Sequence, residues 1–393
     1  MQIGSGRTIV GAMGTMVVCL LSVTSTAGQA VQDQRPPLAE EVHKNVQVLR
    51  GIPETQFMET MGFFSASLGA NCTYCHVEES SGNWEKYADD NGHKQTARGM
   101  IRMVNTINRT YFGGRRVLTC YSCHRGNERP KVIPSLAEMY GAPPPEDPDE
   151  ILDQAPRAPS ADQVLDKYVQ ALGGAERLAT VTSFVARGTY QGNAAVEKSP
   201  FELFAKAPGQ RTTIAHGVNG DITTAYDGQS AWIAAPDTES PVPLLGLSGL
   251  ELDAVKLDAD LSFPAAVKQI LTNWRVGYPT TIDDRDIQVV QGTSAGQSPV
   301  KLYFDKESGL LVRLVRYTDS PVGRNPTQID YADYRDVAGT KWRFVGPSPG
   351  STAGRPYSST TCGRTFRLTP RSSPDRQLRH QPDVPDSCRN TTR

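Results

Sequence analysis

The chain has 393 residues, of which 38% are hydrophobic and 21% charged, so most of it can form two or three domains with buried cores. Its 41 lysine and arginine residues nearly balance 42 aspartate and glutamate residues, and the net charge of −1 gives no electrostatic support for nucleic-acid binding. Seven cysteines in a chain of this length are too few for a disulfide scaffold.

The N-terminus has the order of segments found in secretory signal peptides. Arg7 precedes the apolar run Ile9–Leu21, and the small-residue stretch Ser22–Ala30 follows. The apolar run is shorter than the roughly 20 residues that span a bilayer. We therefore predict that residues 1–30 are a cleaved signal peptide and that the mature protein is periplasmic or otherwise extracytoplasmic. An uncleaved membrane anchor is the alternative.

Residues 31–141 have the pattern of a mainly helical domain. Pro53 suits the first position of a helix, and the run that starts at Glu54 stops at Gly69. A second helix is predicted from about Thr96 to Phe112. One face of this second helix is apolar at helical spacing, with Met100, Met103, Val104, Ile107 and Tyr111.

A proline-rich stretch, residues 142–159, follows the helical part. It contains six prolines among acidic residues, a composition typical of a semi-rigid linker. The linker separates residues 31–141 from a strand-rich part, residues 160–345. The change of composition therefore predicts two domains of different class.

The strand-rich part begins with one helix, because Ser160 and Gln163 form a capping box and Gly173-Gly174 terminates the apolar pattern. Asp305–Gly309 has the composition of a hairpin turn. Alternating apolar residues predict the strands Ser183–Tyr190, Ile222–Tyr226, Ala231–Ala234, Ile287–Val290, Lys301–Phe304, Leu310–Tyr317, Ile329–Tyr334 and Thr340–Val345. We therefore predict an α+β domain in which a helix packs on a curved, half-barrel-like antiparallel sheet.

The last segment, residues 346–393, differs in composition from the rest. It has eight arginines against three aspartates, a net charge of +5, and its apolar residues have no period. We predict a disordered tail. A basic tail of this kind could dock on an acidic partner, be simply solvated, or be out-of-frame coding sequence.

Two pentapeptides carry the chemistry of the chain: Cys72-Thr73-Tyr74-Cys75-His76 and Cys120-Tyr121-Ser122-Cys123-His124. In a Cys-x-x-Cys-His motif the two thiols can add to both vinyl groups of one porphyrin, and the adjacent imidazole is placed to bind the iron. The sequence therefore predicts two covalently bound haem c groups, with His76 and His124 as proximal iron ligands.

Two other chemistries use paired cysteines, and both fit the sequence less well. A four-cysteine zinc site usually has about 15–20 residues between its pairs, whereas here 44 residues separate Cys75 from Cys120. A thioredoxin-like dithiol needs a βαβ context, which the pattern does not show. Export also favours haem attachment over either alternative.

An electron carrier has a sixth ligand on its haem iron, whereas a haem enzyme leaves that position open for a substrate. The helix before the first motif contains Met58 and Met61, and the helix before the second contains Met100 and Met103. Since buried methionine is usually packing, at most one of each pair should bind iron. A thioether opposite an imidazole gives a raised potential suited to electron transfer.

Residues Lys44–Pro130 resemble the first haem pair of the cytochrome subunit of bacterial photosynthetic reaction centres. The pieces that carry the resemblance are Lys44–Leu49, Phe57–Met61, Cys72–His76, Ala97–Met103 and Thr119–Gly126. The resemblance implies that Met61 serves the first haem and Met100 the second, while Met58 and Met103 are packing. It also suggests that Gly99 leaves room for a porphyrin, although an ordinary helix glycine is an equal alternative.

The chain also departs from that family. The family subunit has four haems, whereas this chain has two motifs. A histidine that the family places after the second methionine helix has no counterpart in residues 108–114, and His43 and His93 are expected to be surface residues. The resemblance implies electron transfer with an unidentified donor and acceptor, such as a membrane-bound reaction centre or respiratory complex.

The strand-rich part resembles, much more faintly, the half-barrels of periplasmic lipoprotein-carrier proteins. The basis is the Gly173-Gly174 helix end, Tyr226-Asp227-Gly228 before Trp232, and the Asp305–Leu311 hairpin. It contains no nucleophile triad, phosphate loop or metal cluster.

The sequence thus predicts an exported dihaem c-type cytochrome, fused to a β-rich domain, that passes single electrons and is not an enzyme. Tyr74 and Tyr121 are expected to shield porphyrin edges or to pack. A dihaem peroxidase-like oxidoreductase with one open iron is the first alternative. A docking or sensor protein, in which haem tunes the β-rich domain, is the second.

Overall fold

The computed structural model describes residues 35–80, 83–141, 149–191, 199–237, 240–337, 339–344, 361–363 and 369–370. The predicted signal peptide, residues 1–30, lies outside the described residues. No helix within these ranges is both long enough and apolar enough to cross a membrane.

Most of the described helices lie before residue 141, and the others lie in the later part that also contains the strands. Those before residue 141 are α1 Ala39–Val42, α2 Glu54–Leu68, α3 Cys72–Cys75, α4 Gly92–Tyr111, α5 Cys120–His124 and α6 Leu136–Tyr140, with 3₁₀ turns at Glu78–Ser80 and Trp84–Ala88. Those after it are α7 Ala161–Ala171, α8 Ala175–Ala179, α9 Gly249–Asp260 and α10 Val267–Ile270, with a 3₁₀ turn at Pro264–Ala266.

The strands all follow α8. The first group is β1 Ser183–Gln191, β2 Ser199–Lys206, β3 Gln210–Gly217, β4 Gly220–Tyr226, β5 Ala231–Ala234 and β6 Leu244–Leu247. The second is β7 Thr272–Val276, β8 Thr280–Ile282, β9 Arg285–Thr293, β10 Pro299–Asp305, β11 Leu311–Ser320 and β12 Gly323–Asp330. The last are β13 Ala332–Val337, β14 Thr340–Phe344, β15 Thr361–Gly363 and β16 Thr369–Pro370.

The strands form two main antiparallel sheets and a hairpin, which corrects the prediction of one curved sheet. The first sheet has the order β15-β1-β2-β3-β4-β5-β6, with β16 also on β1, and the second has the order β12-β11-β10-β9-β7, with β8 on β9. β13 and β14 pair with each other. The sheets separate where α9 and α10 interrupt the strand series, a break that period-2 patterning did not reveal.

The predicted capping box and hairpin are present. The Ser160 hydroxyl accepts from the Gln163 amide N–H at 3.2 Å, and the Gln163 side chain accepts from the Ser160 N–H at 2.8 Å. In the hairpin turn, the Asp305 carboxylate accepts from the backbone of Glu307 and Ser308. Predicted strand Ile329–Tyr334 was wrong as a single element, since Tyr331 separates β12 from β13.

The main core lies between α7 and the second sheet. Its fully buried members include Leu165 and Tyr168 from α7 and Leu302, Phe304 and Leu314 from the sheet. Every residue of β10 is buried, because apolar groups cover both of its faces. Burial of this many large apolar side chains is the main contribution to the stability of the second sheet.

Part of the stretch predicted as a linker packs on the second sheet. Buried Ile151 exchanges hydrogen bonds with the Gln291 side chain, and the Ala155 N–H donates to the Val276 carbonyl at 2.8 Å. Residues 142–148 lie outside the described residues. Most of the predicted tail, residues 346–393, also does, although β15 and β16 within it pair with β1.

The helical part rests on the β11–β12 hairpin through α2. The ring of Phe63 is buried against Val322 and fills the space beside Gly323, where a Cβ atom would meet that ring. The Glu59 carboxylate accepts from the Thr318 hydroxyl at 2.8 Å and the Asn325 amide at 2.7 Å. Helix α2 is thereby fixed to the β-rich part.

Candidate functional site

The first motif lies at one side of a cavity of about 300 Å³. Cys72, Cys75 and His76 line it from α3, and both Met58 and Met61 line it from α2. The volume is at the lower end of the range of small-molecule and cofactor pockets. The wall is largely apolar, with Val46, Leu49, Phe57, Phe64, Leu68 and Ile101. The tertiary fold therefore places both predicted donor types around one space.

The His76 ring is oriented by the backbone. Its Nδ1 atom lies 3.2 Å from the Tyr87 carbonyl oxygen, so Nδ1–H donates and Nε2 is left with its lone pair available for a metal. Burial and the nearby Lys94 ammonium lower the pKa of His76, which favours the neutral imidazole that binds metals. This is the arrangement that a proximal ligand requires.

Aromatic rings extend from His76 towards the β-rich part. The centroid of His76 lies 4.9 Å from that of Tyr87, whose ring stacks on Trp84 at 5.3 Å. The Trp84 indole N–H donates to the Asp237 carbonyl at 3.2 Å. Sequence reasoning missed Tyr87 and Trp84, because they follow the motif in a 3₁₀ turn and only the fold returns them to it.

Two cations of α4 also line this cavity. The Lys94 ammonium donates to the Tyr87 carbonyl at 2.7 Å, and the Arg98 guanidinium lies 2.9 Å from the Asp90 carboxylate. Arg98 is buried, and its guanidinium also donates to the Asn45 carbonyl at 3.4 Å. Sequence reasoning assigned neither cation a role. The helical spacing of Lys94 and Arg98 with Ala97 and Ile101 could have indicated that all four lie on one face of α4.

The second motif is more open to solvent than the first. Cys123 is exposed, the Tyr121 side chain is 54% exposed, and Met100 and Met103 are 41% and 45% exposed on α4. The His124 Nδ1 atom lies 3.0 Å from the Asn127 carbonyl, so this imidazole is also oriented by a backbone acceptor. Helix α4 turns its Lys94 face to the first cavity and leaves the methionine face exposed.

A buried amide fixes the chain that enters the second motif. The Asn108 side chain donates to the Leu118 carbonyl at 2.7 Å and accepts from the N–H groups of Val117 and Leu118 at 3.2 and 2.9 Å. Because three bonds converge on one side chain, the loop between α4 and α5 is held in one conformation.

The two motifs are joined through α2. Cys120 packs in the same small cluster as Met61, Leu49 and Phe63. The Gly126 N–H, just after the second motif, donates to the Ser67 carbonyl at 2.9 Å. Burial raises the pKa of Cys75, and it raises the pKa of Cys120 to about 11. None of the four motif cysteines forms a disulfide, so all are available as thiols.

The remaining histidines of this part contact aromatic rings. His43 lines the first cavity, stacks on Phe57 at 4.8 Å and lies 3.4 Å from the buried Glu54 carboxylate. His93 lies against Tyr74, with ring centroids 4.3 Å apart. The His43 side chain is thus only 12% exposed and lies at the cavity, and not at the surface position expected for it.

A carboxylate cluster lies where α9 meets the opposite face of α2. Desolvation, together with the charges of Glu59 and Glu54, raises the pKa of Glu251 to about 7. Between its ordinary value and this one, the folded protein holds a proton that the unfolded chain has lost. Stability contributed by this group therefore falls as the pH rises from about 4.5 through 7.

Replacing Glu251 by glutamine should remove this pH dependence. We expect the free energy of unfolding at pH 8 to rise by about 2 kcal/mol and to change little at pH 4.5. Urea unfolding of both proteins at the two pH values measures the difference. Glu78→Gln, at an exposed carboxyl, is the matched control and should change neither value. Equal effects of Glu251→Gln at both pH values would contradict the assignment.

Comparison with known proteins agrees with this geometry. Residues 16–143 match the family model described as photosynthetic reaction centre cytochrome C subunit. Residues 16–143 belong to this family. The resemblance inferred from the motif residues is therefore confirmed for what we now call the cytochrome region, the described residues 35–141.

Relatives with curated names are similar over this same part. The photosynthetic reaction center cytochrome c subunit of Thermochromatium tepidum is 38% identical over 103 residues, which are 25% of this chain and 24% of that protein. The corresponding subunit of Roseobacter denitrificans is 35% identical over 104 residues, 24% of this chain and 27% of that protein. The chain thus spans about a quarter of the length of the curated relatives it matches.

Solved structures resemble the chain only loosely. A LolA superfamily protein from Nitrosomonas europaea is 14% identical with a TM-score of 0.31, covering 47% of this chain and 82% of that one. A putative outer membrane lipoprotein-sorting protein domain from Vibrio parahaemolyticus is 10% identical with a TM-score of 0.29, covering 46% and 83%. Scores of this size support no conclusion about function.

Proposed function

We propose that the chain is an exported dihaem c-type cytochrome that carries single electrons between redox partners. The observation that carries the proposal is the first cavity, whose largely apolar wall includes two thiols, an oriented imidazole and two methionine thioethers. The family match of residues 16–143 supports the same chemistry. Each haem, when bound, supplies one iron that cycles between two oxidation states.

The proposed attachment uses both motifs alike. Cys72 and Cys75 would hold the first haem, and Cys120 and Cys123 the second, through thioether bonds. His76 and His124 would bind the irons from the proximal side, each with its Nδ1–H donated to a backbone carbonyl. Donation of that proton fixes the ring and strengthens Nε2 as a ligand.

The proposed distal ligands are Met61 for the first haem and Met100 for the second. Met61 shares its cavity with Met58, so the choice between these two rests on the family motif and not on position. A thioether in this place raises the potential and leaves no open iron position for a substrate. This ligand set favours electron transfer over the peroxidase-like alternative.

Cations at the cavity would balance the charge of a bound porphyrin. Arg98 and Lys94 line the wall, and Arg98 is buried with Asp90 as its partner. A positive charge near the iron stabilises the reduced form, because reduction adds negative charge. Lys94 acts also through the Tyr87 carbonyl, which it shares with the His76 N–H.

Lys94→Gln should therefore lower the potential of the first haem by roughly 40 mV, about 1 kcal/mol for one electron. The second haem should be unaffected, since His124 has its own acceptor in Asn127. A potentiometric titration that resolves both haems makes the comparison. The control is Lys86→Gln, which removes an exposed cation that is paired with Asp89. It should change the potential of either haem by much less than about 40 mV.

The domain arrangement proposed from the sequence is retained. It has a signal peptide in residues 1–30, a dihaem domain in 31–141, a linker in 142–159, a β-rich domain in 160–345 and a tail in 346–393. The contacts of Glu59 with Thr318 and Asn325 support the idea that the β-rich domain holds the helices in place. The donor and acceptor would be proteins, one of which is a reaction centre or respiratory complex.

The test is to produce the full chain in a host that matures c-type cytochromes. We expect mass spectrometry to find two haems bound covalently to a chain that has lost about 30 residues. The spectrum should be low-spin at both irons. A colourless product, or pigment extracted by acidified acetone, would overturn the proposal. A high-spin iron in the native protein would favour the peroxidase-like enzyme instead.

A further inference from the structure

Exposed apolar side chains are concentrated around the second motif. Of the fifteen large hydrophobic residues that are strongly exposed among those described, ten lie between residues 100 and 140. They are Met100, Met103, Tyr111, Val117, Tyr121, Val132, Ile133, Leu136, Met139 and Tyr140. Met100 and Tyr121 belong to the proposed second haem site, but the other eight still form a concentration that marks a binding surface, unlike apolar residues exposed singly.

The same part of the chain is strongly basic. Residues 99–141 contain seven arginines and lysines and two acids, Glu128 and Glu138, a net charge of +5. Residues 35–98 contain six basic residues and nine acids, a net charge of −3. The cytochrome region is therefore polarised, with its positive part around the second motif and its negative part around the first.

Most of these cations are free of ion pairs within the described chain. Arg116 is paired with Asp319 at 2.7 Å and helps to hold the cytochrome region to β11. The others, all exposed, have no carboxylate within 4 Å among the described residues: Arg102, Arg109, Arg115, Arg125, Arg129 and Lys131. Their charge is thus available to an external partner.

The patch is continuous with the second motif. Residues 125–141 begin directly after His124, and every one of them is exposed. Val132 and Ile133 are 91% and 77% exposed, and α6 adds Leu136, Met139 and Tyr140. We call residues 125–140 the docking face. It has apolar side chains beside the cations Arg125, Arg129 and Lys131.

We infer that the docking face binds an acidic redox partner protein next to the second haem motif. The inference rests on the proposed function, and it adds the class of partner and the place where electrons pass. An apolar patch with a charged surround is the usual anatomy of a transient interface. Opposite charge on the partner steers it into contact and makes the association rate dependent on salt.

Charge argues against two other occupants. In a symmetric dimer formed through this face, one +5 surface would lie against another, and residues 346–393 also have a net charge of +5. Like charges facing each other cost several kcal/mol in an interface. Glu146 and Asp147 of this chain are acidic and follow α6 closely in the sequence. The experiment must therefore distinguish binding of these two residues from binding of an external partner.

The experiment uses the full haem-loaded chain and an acidic plant-type [2Fe–2S] ferredoxin as probe. The test variant is Arg125→Glu/Arg129→Glu/Lys131→Glu. The matched control is Lys206→Glu/Lys306→Glu/Lys341→Glu, which changes the net charge equally at exposed positions of the β-rich part. Stopped flow gives the rate of electron transfer from reduced ferredoxin, and calorimetry gives the affinity for oxidised ferredoxin.

We expect the test variant to lose at least tenfold in rate and affinity at low ionic strength, with a flatter dependence on salt. The control should stay within about threefold of the wild type. Both variants must first show two low-spin haems, so that loss of haem, which concerns the proposed function, is told apart from loss of docking. Equal behaviour of the two variants would overturn the docking face.

Other occupants give distinct results, each of which overturns the inference. Tighter binding to vesicles of anionic lipid than to ferredoxin would make the face a membrane surface. A dimer in sedimentation that the test variant abolishes would make it a self-contact. Ferredoxin binding that appears only in Glu146→Gln/Asp147→Gln would show that the chain covers the face itself.

Discussion

Met61→Ala should convert the first haem to a high-spin iron and leave the second unchanged. The side chains of Met61 and His76 line the same cavity, and alanine has no atom that could bind iron in place of the Met61 thioether. We expect the sulfur-to-iron charge-transfer band to lose about half its intensity, because one of two haems is affected. The potential of that haem should fall by more than about 100 mV, within the range that axial ligands control.

Met58→Ala is the matched control, since Met58 lines the same cavity from the same helix. It should keep the charge-transfer band and lose only packing, for which methionine-to-alanine changes cost about 2–5 kcal/mol when the side chain is fully buried. The reverse result, with the band lost in Met58→Ala and kept in Met61→Ala, would exchange the two roles. Met100→Ala and Met103→Ala form the corresponding pair for the second haem.

Gly69→Ala should destabilise the cytochrome region by about 3 kcal/mol. Gly69 caps α2 at φ +63°, a conformation that costs alanine about 1 kcal/mol. A Cβ atom at this residue would also lie 2.3 Å from the Gly126 carbonyl oxygen, so the backbone after the second motif must move. Urea unfolding followed by helix circular dichroism measures the loss, and the spectrum of the second haem should change with it.

Gly113→Ala isolates the contact from the backbone strain. Gly113 has nearly the same φ, +61°, but a Cβ atom there would meet nothing within 4 Å. It should cost about 1 kcal/mol and leave both haem spectra intact. If the two glycine variants are equally unstable, the close approach of Gly69 to Gly126 has no energetic weight.

The sequence predicted the long elements of the cytochrome region well. α2 was placed correctly from Glu54 to its end at Gly69, because a proline start and a glycine stop are local signals. α4 extends from Gly92 to Tyr111, four residues earlier than expected, since Asn91 caps it by accepting from the Lys94 N–H. An asparagine cap is a weaker signal than the apolar face used for the prediction.

The apolar face of α4 shows where sequence reasoning stopped. The helical spacing of apolar residues alone predicted that Met100 and Met103 lie on one apolar face of α4. In the structure, the buried residues of this helix are Arg98, Ile101 and Asn108. Met100 and Met103 remain 41% and 45% exposed in the described structure. A hydrophobic pattern identifies an apolar face of a helix but does not show which group covers that face.

In the β-rich part, short strands limited the prediction. β2 and β3 were missed, because threonines, glycines and charges in them obscure the alternation. The division into two sheets depends on α9, whose Asp258 lies 3.7 Å from Arg211 of the first sheet and 3.4 Å from Arg316 of the second. Such pairing over long sequence distances has no local signature.

The sequence by itself determined that each motif holds two thiols and an imidazole within about one helical turn of backbone, the arrangement that haem c attachment requires. Only the tertiary structure decided their surroundings: the carbonyl of Tyr87 on His76, the burial of Arg98, and the open setting of His124. The reason is physical. Thioether bonding depends on neighbouring residues, whereas potential and access depend on charges and surfaces that folding brings from distant parts of the chain.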